Sequence, residues 1–426
     1  MKLSSTSVDS AGMKCREAIS AAVIGNVLEW YDFAVYGYLA TVIAKNFFLT
    51  RDELSSLLAA FGVFGVGFLV RPLGGVIIGR MGDVKGRKSA LLFTLFFMAV
   101  GTAGIGLLPS ARSIGSWATV LLVLLRLVQG FSVGGEWAGS TAFIVEWAPQ
   151  ERRGFFGSFQ QVATGGGLLL GSGIAAFLST VLVPGQMENW GWRIPFLLGG
   201  LIAPVGFYMR RNIGETPAFL EASVAEEILS KSSMALLAAK AFGFTIFWTV
   251  SYYLILTYLP TFTQRFAGLS ATQALWSNTI GLVVLVAVIP FAGLLSDHIG
   301  RKPVLLTSCL SFVFLSYPLF RLLIASVHLA SVIVIQVIFC LMIALFSGPG
   351  PAALSEIFPT RSRSMLMSTG YALAVAIFGG FAPYVAIWLT RTTGRPLAPT
   401  AYLIGAAMVS TVVILFLDET AHEKLR

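Results

Sequence analysis

The sequence predicts an all-α membrane protein in which about twelve transmembrane helices form two six-helix bundles. Three observations predict it: the composition, the apolar runs and an internal repeat. Hydrophobic residues make up 56% of the 426 and charged residues 12%, where a soluble domain carries about 25% charged residues. A chain this apolar cannot cover its own surface in water. Apolar runs of about 20 residues, the length that crosses a bilayer, recur along it. A polar stretch divides these runs into two sets of six, and the sets share a loop motif. With 33 Phe and only 3 Cys, disordered and disulfide-scaffold classes are excluded.

In chain order, residues 1–16 form a polar tail. The first apolar run is too long for a cleavable signal segment and reads as an uncleaved span. The N-terminal bundle, 17–209, contains spans at roughly 18–45, 54–79, 89–109, 117–146, 155–183 and 194–209. A mixed-charge linker follows at 210–232. The second bundle, 233–417, contains spans at roughly 234–262, 272–295, 303–325, 329–357, 364–390 and 400–417, and the tail 418–426 closes the chain. Segments such as Ala118–Leu125 are apolar on all sides, which fits helices in lipid rather than alternating barrel strands.

The repeat is explicit. Gly79-Arg-Met-Gly-Asp83-Val-Lys-Gly86-Arg87-Lys88 recurs as Gly293-Leu-Leu-Ser-Asp297-His-Ile-Gly300-Arg301-Lys302, 214 positions later. Glu146 and Pro149 recur as Glu356 and Pro359, 210 positions later. Two related bundles follow from such a repeat.

Orientation follows from the cations. The side carrying the termini holds 19 of the 29 Lys and Arg, and the other side 7. Arg71, Arg126 and Arg321 fall within spans. Positive loops stay in the cytoplasm, so both termini are expected inside, at a bacterial inner membrane. The formal charge of +9 thus reflects lipid topology rather than a nucleic-acid partner. Cys15, Cys309, Cys340, His298, His328 and His422 are scattered, so neither a metal site nor a disulfide is expected. No nucleophile–base set is visible, and an enzyme is not expected.

Charges inside a membrane mark function, because each costs roughly 2.5–3.5 kcal/mol at the bilayer centre. Glu29, Asp32, Arg71, Arg126 and Glu136 are such charges. Asn26, Glu29, Asp32 and Tyr36 share one helix face, and Gln129 and Glu136 share another, with Arg126 beside it. The fifth span adds Gln161, Thr164 and Ser172. The first half is therefore expected to carry proton coupling through Asp32, Glu136 and Glu29. Arg126 is expected to hold a substrate carboxylate or to tune a neighbouring acid. Glu29 and Arg71 lie closer to helix ends, where a structural pair is an equal reading. Asn26, Gln129, Tyr36 and Gln161 complete the expected substrate set in the first half, and Trp248, Tyr252 and Tyr253 supply the second. Those three aromatics also fit interfacial anchors, the role expected for Trp30, Trp117, Trp190, Trp192 and Trp388. The glycines 165, 166, 167, 171 and 173 are expected to permit close helix packing.

The duplicated Gly-x-x-x-Asp-x-x-Gly-Arg-Lys loop resembles the signature of the major facilitator superfamily. Gly25-Asn26-Val-Leu-Glu29-Trp30-Tyr-Asp32-Phe33, the segment Arg126 to Glu136, Trp190-Gly-Trp-Arg-Ile-Pro195-Phe196, Glu215-Thr-Pro-Ala-Phe219 and Phe378-Gly-Gly with Pro383 resemble its metabolite:proton symporter branch. That branch includes carriers of citrate, 2-oxoglutarate, shikimate, proline and betaine. The resemblance implies alternating access around a central site, with the duplicated loops forming a cytoplasmic gate. It implies that Asp83 sits at a helix N-terminus of the opposite bundle and that Arg87 pairs with Glu146. Asp297, Arg301 and Glu356 would be the second-half counterparts, and Lys88 and Lys302 complete the gate loops. Val84 stands where the superfamily loop commonly has Arg, and Ala372 where many branch members have Asn. The fifth span lacks the Gly-Pro pattern of antiporters.

The function expected from all this is proton-driven uptake of a small polar metabolite. An organic carboxylate comes first because of Arg126. A zwitterionic osmolyte such as proline or betaine is the alternative, held by Trp248 and the tyrosines through cation–π contact. A drug or metabolite exporter fits less well. No cofactor is expected beyond the proton gradient. The partners are a small-molecule substrate, protons and the bilayer, with the chain acting as a monomer.

Overall fold

The computed structural model describes residues 26–27, 29–48, 50, 52–85, 87–133, 136–201, 231–325, 328–359, 363–423 and 425, without the side chains at 79, 82–85, 87–91, 136, 143, 147, 231 and 364. The described residues are mostly helical and contain no strand. In lipid a backbone must satisfy its own hydrogen bonds, and a helix does so within one segment.

Among the described residues, eight helices are long and apolar enough to cross a membrane: Glu53–Ile78, Trp117–Glu146, Gln150–Val181, Ser232–Phe266, Ala271–Ile299, Arg301–Ala325, Leu329–Glu356 and Met365–Thr393. Two shorter apolar helices, Leu92–Leu107 and Pro399–Leu415, occupy the places expected for the third and twelfth spans. The first and sixth expected spans are described in part, as helix 26–38 continued by Ala40–Phe47 and as helix 193–201. The expected linker 210–232 lies almost entirely outside the described residues.

Small residues set the closest contacts. The backbones of Gly67 and Gly130 cross within van der Waals contact, so the second and fourth spans meet without side chains between them. Gly167 faces the backbone of Val27 and Tyr31, and Gly171 faces Ala34, which seats the fifth span on the first. Gly173 faces open space and serves no such contact. The halves meet chiefly where Ala271–Ile299 runs along Arg153–Val181. They meet again where Phe68 packs on Gly380 and Phe381 on Gly65.

Apolar side chains such as Phe291, Phe314 and Phe416 are mostly exposed, as a lipid-facing surface requires. Trp117, Trp190 and Trp388 are also exposed, in keeping with anchors. Trp30 and Trp192 are not anchors: both are buried. Trp192 fills a pocket against Phe47, with ring centroids 5.6 Å apart. Trp30 turns inward to the site described next.

Two spans change winding near that site. The seventh passes through a π-helical turn at Tyr252–Tyr258, and the eleventh through another at Val375–Gly379. Such turns shift the register of the side chains around them and recur at functional positions.

Candidate functional site

A cavity of about 20 Å³ lies between the halves, lined by Trp30, Gln161, Thr164, Trp248, Thr249, Tyr252, Tyr253 and Tyr371. It has room for about one water-sized sphere, so the site is closed around nothing larger. Five of the eight side chains are aromatic and none is charged. Trp30 lies 6.1 Å from Tyr252 and 6.2 Å from Tyr253 between ring centroids. Trp248 is fixed by its indole N–H, which donates to Ser347 Oγ at 3.1 Å. Trp137 stacks on Tyr371 at 3.9 Å and sets that ring's plane. The hydroxyls of Tyr252, Tyr253 and Thr249 are buried without a hydrogen-bond partner. Buried polar groups are usually paired, so these three are available to a ligand.

Gln161, Trp248, Tyr252 and Tyr253 were expected at the substrate site and do line the cavity. Trp30, Thr249 and Tyr371 were missed. The spacing of the π-turn residues was visible, but nothing in a helix apolar on every side marks which face turns inward. Asn26 lies one layer behind, its amide reaching Thr164 Oγ1 at 3.4 Å and the Gln160 carbonyl at 3.5 Å.

A second group of expected residues forms a chain inside the first half. Arg126 Nη1 donates to Gln129 Oε1 at 2.9 Å. Gln129 Nε2 donates to Thr102 Oγ1 at 2.7 Å. Thr102 donates in turn to Asp32 Oδ2 at 2.7 Å. All four are buried. Every link has one possible direction, because guanidinium only donates and the amide oxygen only accepts. Asp32 Oδ1 is buried without a hydrogen-bond partner, and Gly199 is packed against it. The Arg126 guanidinium lies 4.3 Å over the Tyr36 ring and 4.9 Å over Phe33. Tyr36 itself donates to the Ala60 carbonyl at 3.0 Å. Thus Arg126, Gln129 and Tyr36 stand behind the cavity wall, not on it. Glu29 is buried nearby, and the side chain of Glu136 lies outside the described residues.

The second-half gate loop is described in full. The eighth span ends on Asp297, whose Oδ1 and Oδ2 accept the backbone N–H groups of Gly154 and Phe155, each at 2.8 Å. These amides begin the long helix Arg153–Val181, where a negative charge is favoured by free N–H groups and the helix dipole. Gly293 and Gly154 touch through their backbones. Gly300 takes φ of 103°, which ends the helix and suits glycine. Arg301 joins Asp297 Oδ1 at 2.7 Å to Glu356 at 3.3 Å. Arg153, from the opposite half, adds a longer pairing to Glu356 at 3.7 Å. Lys302 Nζ meets the Leu415 and Leu417 carbonyls at 3.1 and 2.6 Å.

The first-half loop is less complete. The side chains of Asp83, Arg87 and Lys88 lie outside the described residues. Glu146, expected to meet Arg87, meets Arg363 at 2.7 Å among the described residues. Arg363 is fully buried and spans the halves, a partner that spacing within the repeat did not reveal.

At the opposite end of the eighth span, Ala271 and Thr272 line an open vestibule of about 740 Å³. A 29-residue helix separates its ends by about 40 Å. Lys45, Glu53, Glu188 and Arg265 border this vestibule. Glu53 pairs with Arg265 across the halves at 2.7 Å, and Lys45 pairs with Glu188 at 2.5 Å. Among the described residues, the Asp297–Arg301–Glu356 cluster thus closes on the start of the fifth span at one end and the vestibule is hollow at the other, with a narrow aromatic site between.

The model of the sugar (and other) transporter family matches residues 18–240 and 221–426. The chain belongs to the major facilitator superfamily. A partially occluded inward-open structure of the xylose transporter XylE from E. coli is 18% identical, covers 97% of this chain and 100% of its own, and superimposes with a TM-score of 0.78. That likeness establishes the facilitator fold. Among curated relatives, the glycine betaine/proline/ectoine/pipecolic acid transporter OusA of Dickeya dadantii is 34% identical over 97% of this chain and 85% of its own length. The ectoine/proline transporter ProP of Corynebacterium glutamicum is 36% identical over 97% and 86%. The proline/betaine transporter of Escherichia coli K12 is 34% identical over 97% and 85%.

Proposed function

We propose that this facilitator takes up a zwitterionic osmolyte of the proline or betaine kind, coupled to protons, by alternating access. The carrying observation is the uncharged, aromatic lining of the central cavity. An ammonium or quaternary amine is attracted to ring faces within about 6 Å. A di- or tricarboxylate would need cations on that wall. The relatives carry proline, betaine and ectoine by name. Both considerations move the substrate away from the organic carboxylate that Arg126 suggested, because Arg126 stands behind the wall.

In this reading Asp32 is the proton carrier. Its Oδ2 accepts from Thr102, so the proton loads on Oδ1. Loss of the charge weakens the Thr102 bond, and the change passes through Gln129 to Arg126. Two bundles, 17–209 and 233–417, rock about the aromatic site. The gate-loop face is the cytoplasmic one at the bacterial inner membrane, and the vestibule faces outward. The chain works as a monomer and draws on the proton gradient without a cofactor.

The test is proteoliposome uptake of radiolabelled glycine betaine and proline. Accumulation is expected to rise with an inward proton gradient and to collapse with a protonophore. Uptake of citrate in place of betaine would overturn the substrate. Indifference to the gradient would overturn the coupling.

A further inference from the structure

One buried cation has no role in anything above. Arg71 follows the second span's Leu69–Val70 and is 5% exposed. Its guanidinium carbon lies 4.2 Å from the Phe68 ring centroid, 4.3 Å from Phe33 and 5.8 Å from Trp30. Nε and Nη2 are buried with no hydrogen-bond partner. Among the described residues Arg71 forms no ion pair. A buried charge without a counter-ion is strongly unfavourable, and ring faces offset only part of that cost.

Its position suggests what completes it. Trp30 and Tyr253 are walls of the central cavity. Phe68, which covers Arg71, lies 5.2 Å from Tyr253. Arg71 is thus one aromatic layer behind the site. Arg126 leaves the same Nε–Nη2 edge without a hydrogen-bond partner, but its Nη1 is held by Gln129. It lies over Phe33, Tyr36 and Phe64, none of which lines the cavity, whereas Arg71 lies over the cavity wall Trp30. Arg71 keeps its Nε–Nη2 edge unspent, and that edge is the fork that binds a carboxylate bidentately.

We propose that Arg71 is the receptor for the carboxylate of the transported zwitterion, while the aromatic cavity holds its ammonium. This rests on the osmolyte reading above and assigns the half of the substrate that the cavity wall leaves unmatched. In an α-zwitterion the nitrogen and carboxyl carbon are about 2.5 Å apart, from N–Cα and Cα–C lengths at a tetrahedral angle. A carboxylate on the Arg71 fork therefore keeps its ammonium beside Trp30 and Tyr253. Those two rings must part for the contact to form, as the cavity's small volume already requires. Glu29 is the internal anion of this region. Its charge, like that of Arg71, reaches Tyr253 and Tyr371.

The experiment compares glycine betaine with choline on purified full-length protein. The two share a quaternary ammonium, and only betaine has a carboxylate. Affinities come from calorimetry and apo stability from a thermal scan, on wild type, Arg71→Gln and Arg71→Lys. Wild type should prefer betaine. Arg71→Gln should lose at least about tenfold in betaine affinity with choline affinity unchanged. Arg71→Lys should fall between, since an ammonium keeps the charge without the fork. The apo Tm of Arg71→Gln should equal or exceed that of wild type, because a buried charge with no ion pair among the described residues has been removed. Unchanged betaine affinity in Arg71→Gln overturns the proposal alone. Equal loss of both ligands with a lowered Tm also overturns it, in favour of a structural arginine. A wild type that binds citrate and neither betaine nor proline overturns the osmolyte reading, and this proposal with it.

Discussion

Thr102 donates its hydroxyl to Asp32 at 2.7 Å, and that hydroxyl is itself held by Gln129 at 2.7 Å. Three spans of the first half are thereby tied to one carboxylate through a single threonine. A buried charge is tolerated when its hydrogen bonds are made, and Asp32 has one oxygen satisfied and one open.

The first prediction concerns that open oxygen. Asp32→Asn should abolish proton-driven accumulation in proteoliposomes while the protein still folds and binds substrate. Thr102→Val should reduce accumulation severalfold, having removed a charge-assisted bond worth about 1.5–3 kcal/mol. The double variant should be no worse than Asp32→Asn, because both changes act on one unit. Additive losses would separate Thr102 from the coupling.

A second prediction concerns the sealed face. Asp297→Asn leaves Arg301 with one fewer buried partner, and breaking such a pair costs about 3–5 kcal/mol. The cost falls on the closed state, so the variant should populate a form open at that face more than a hundredfold over wild type. Paired spin labels on the ends of the fifth and eighth spans would measure the distance. An unchanged distance distribution would sink the assignment of this cluster as a gate.

The backbone contact beneath that cluster gives a third. A Cβ on Gly293 would come within 2.5 Å of the Gly154 carbonyl oxygen. Gly293→Val should hold the face ajar and stop turnover. Unlike Asp297→Asn it removes no charge, so its effect is steric alone.

The fourth addresses the aromatic site. Trp248→Ala should weaken betaine binding by about tenfold, between the exposed and the fully desolvated values of a cation–π contact. Trp248→Phe should recover part of it, although the indole bond to Ser347 is lost. Binding of a neutral solute of similar size is the control, and equal loss there would argue for simple cavity collapse.

The geometry of the second-half loop was legible in the sequence because each motif residue answers a backbone need. Asp297 caps a helix, Gly300 requires a positive φ, and Gly293 must leave room for Gly154. Such needs are local, so spacing carries them. The span pattern was legible for the same reason, with helix ends close to the apolar runs. The aromatic site was only half legible. Tyr252, Tyr253 and Trp248 stood out, but Trp30 was assigned to the membrane interface. A span apolar on every face offers no pattern that separates lipid from interior. Arg126 drew attention as a charge in a span, yet its bond to Gln129 puts it in the chain that ends on Asp32, behind the cavity wall. Nor could spacing have paired Glu146 with Arg363, residues 217 positions apart.

The two closures differ in how wet they are. Arg301 and Glu356 have side chains only 2% and 3% exposed, whereas the Glu53 side chain across the vestibule is 64% exposed. Dissolved ions screen exposed pairs over about 8–10 Å at ordinary ionic strength and barely reach buried ones. Added salt therefore loosens the Glu53–Arg265 tie and leaves the Arg301–Glu356 lock intact. A molecule built this way responds to ionic strength at one of its ends only, the vestibule end.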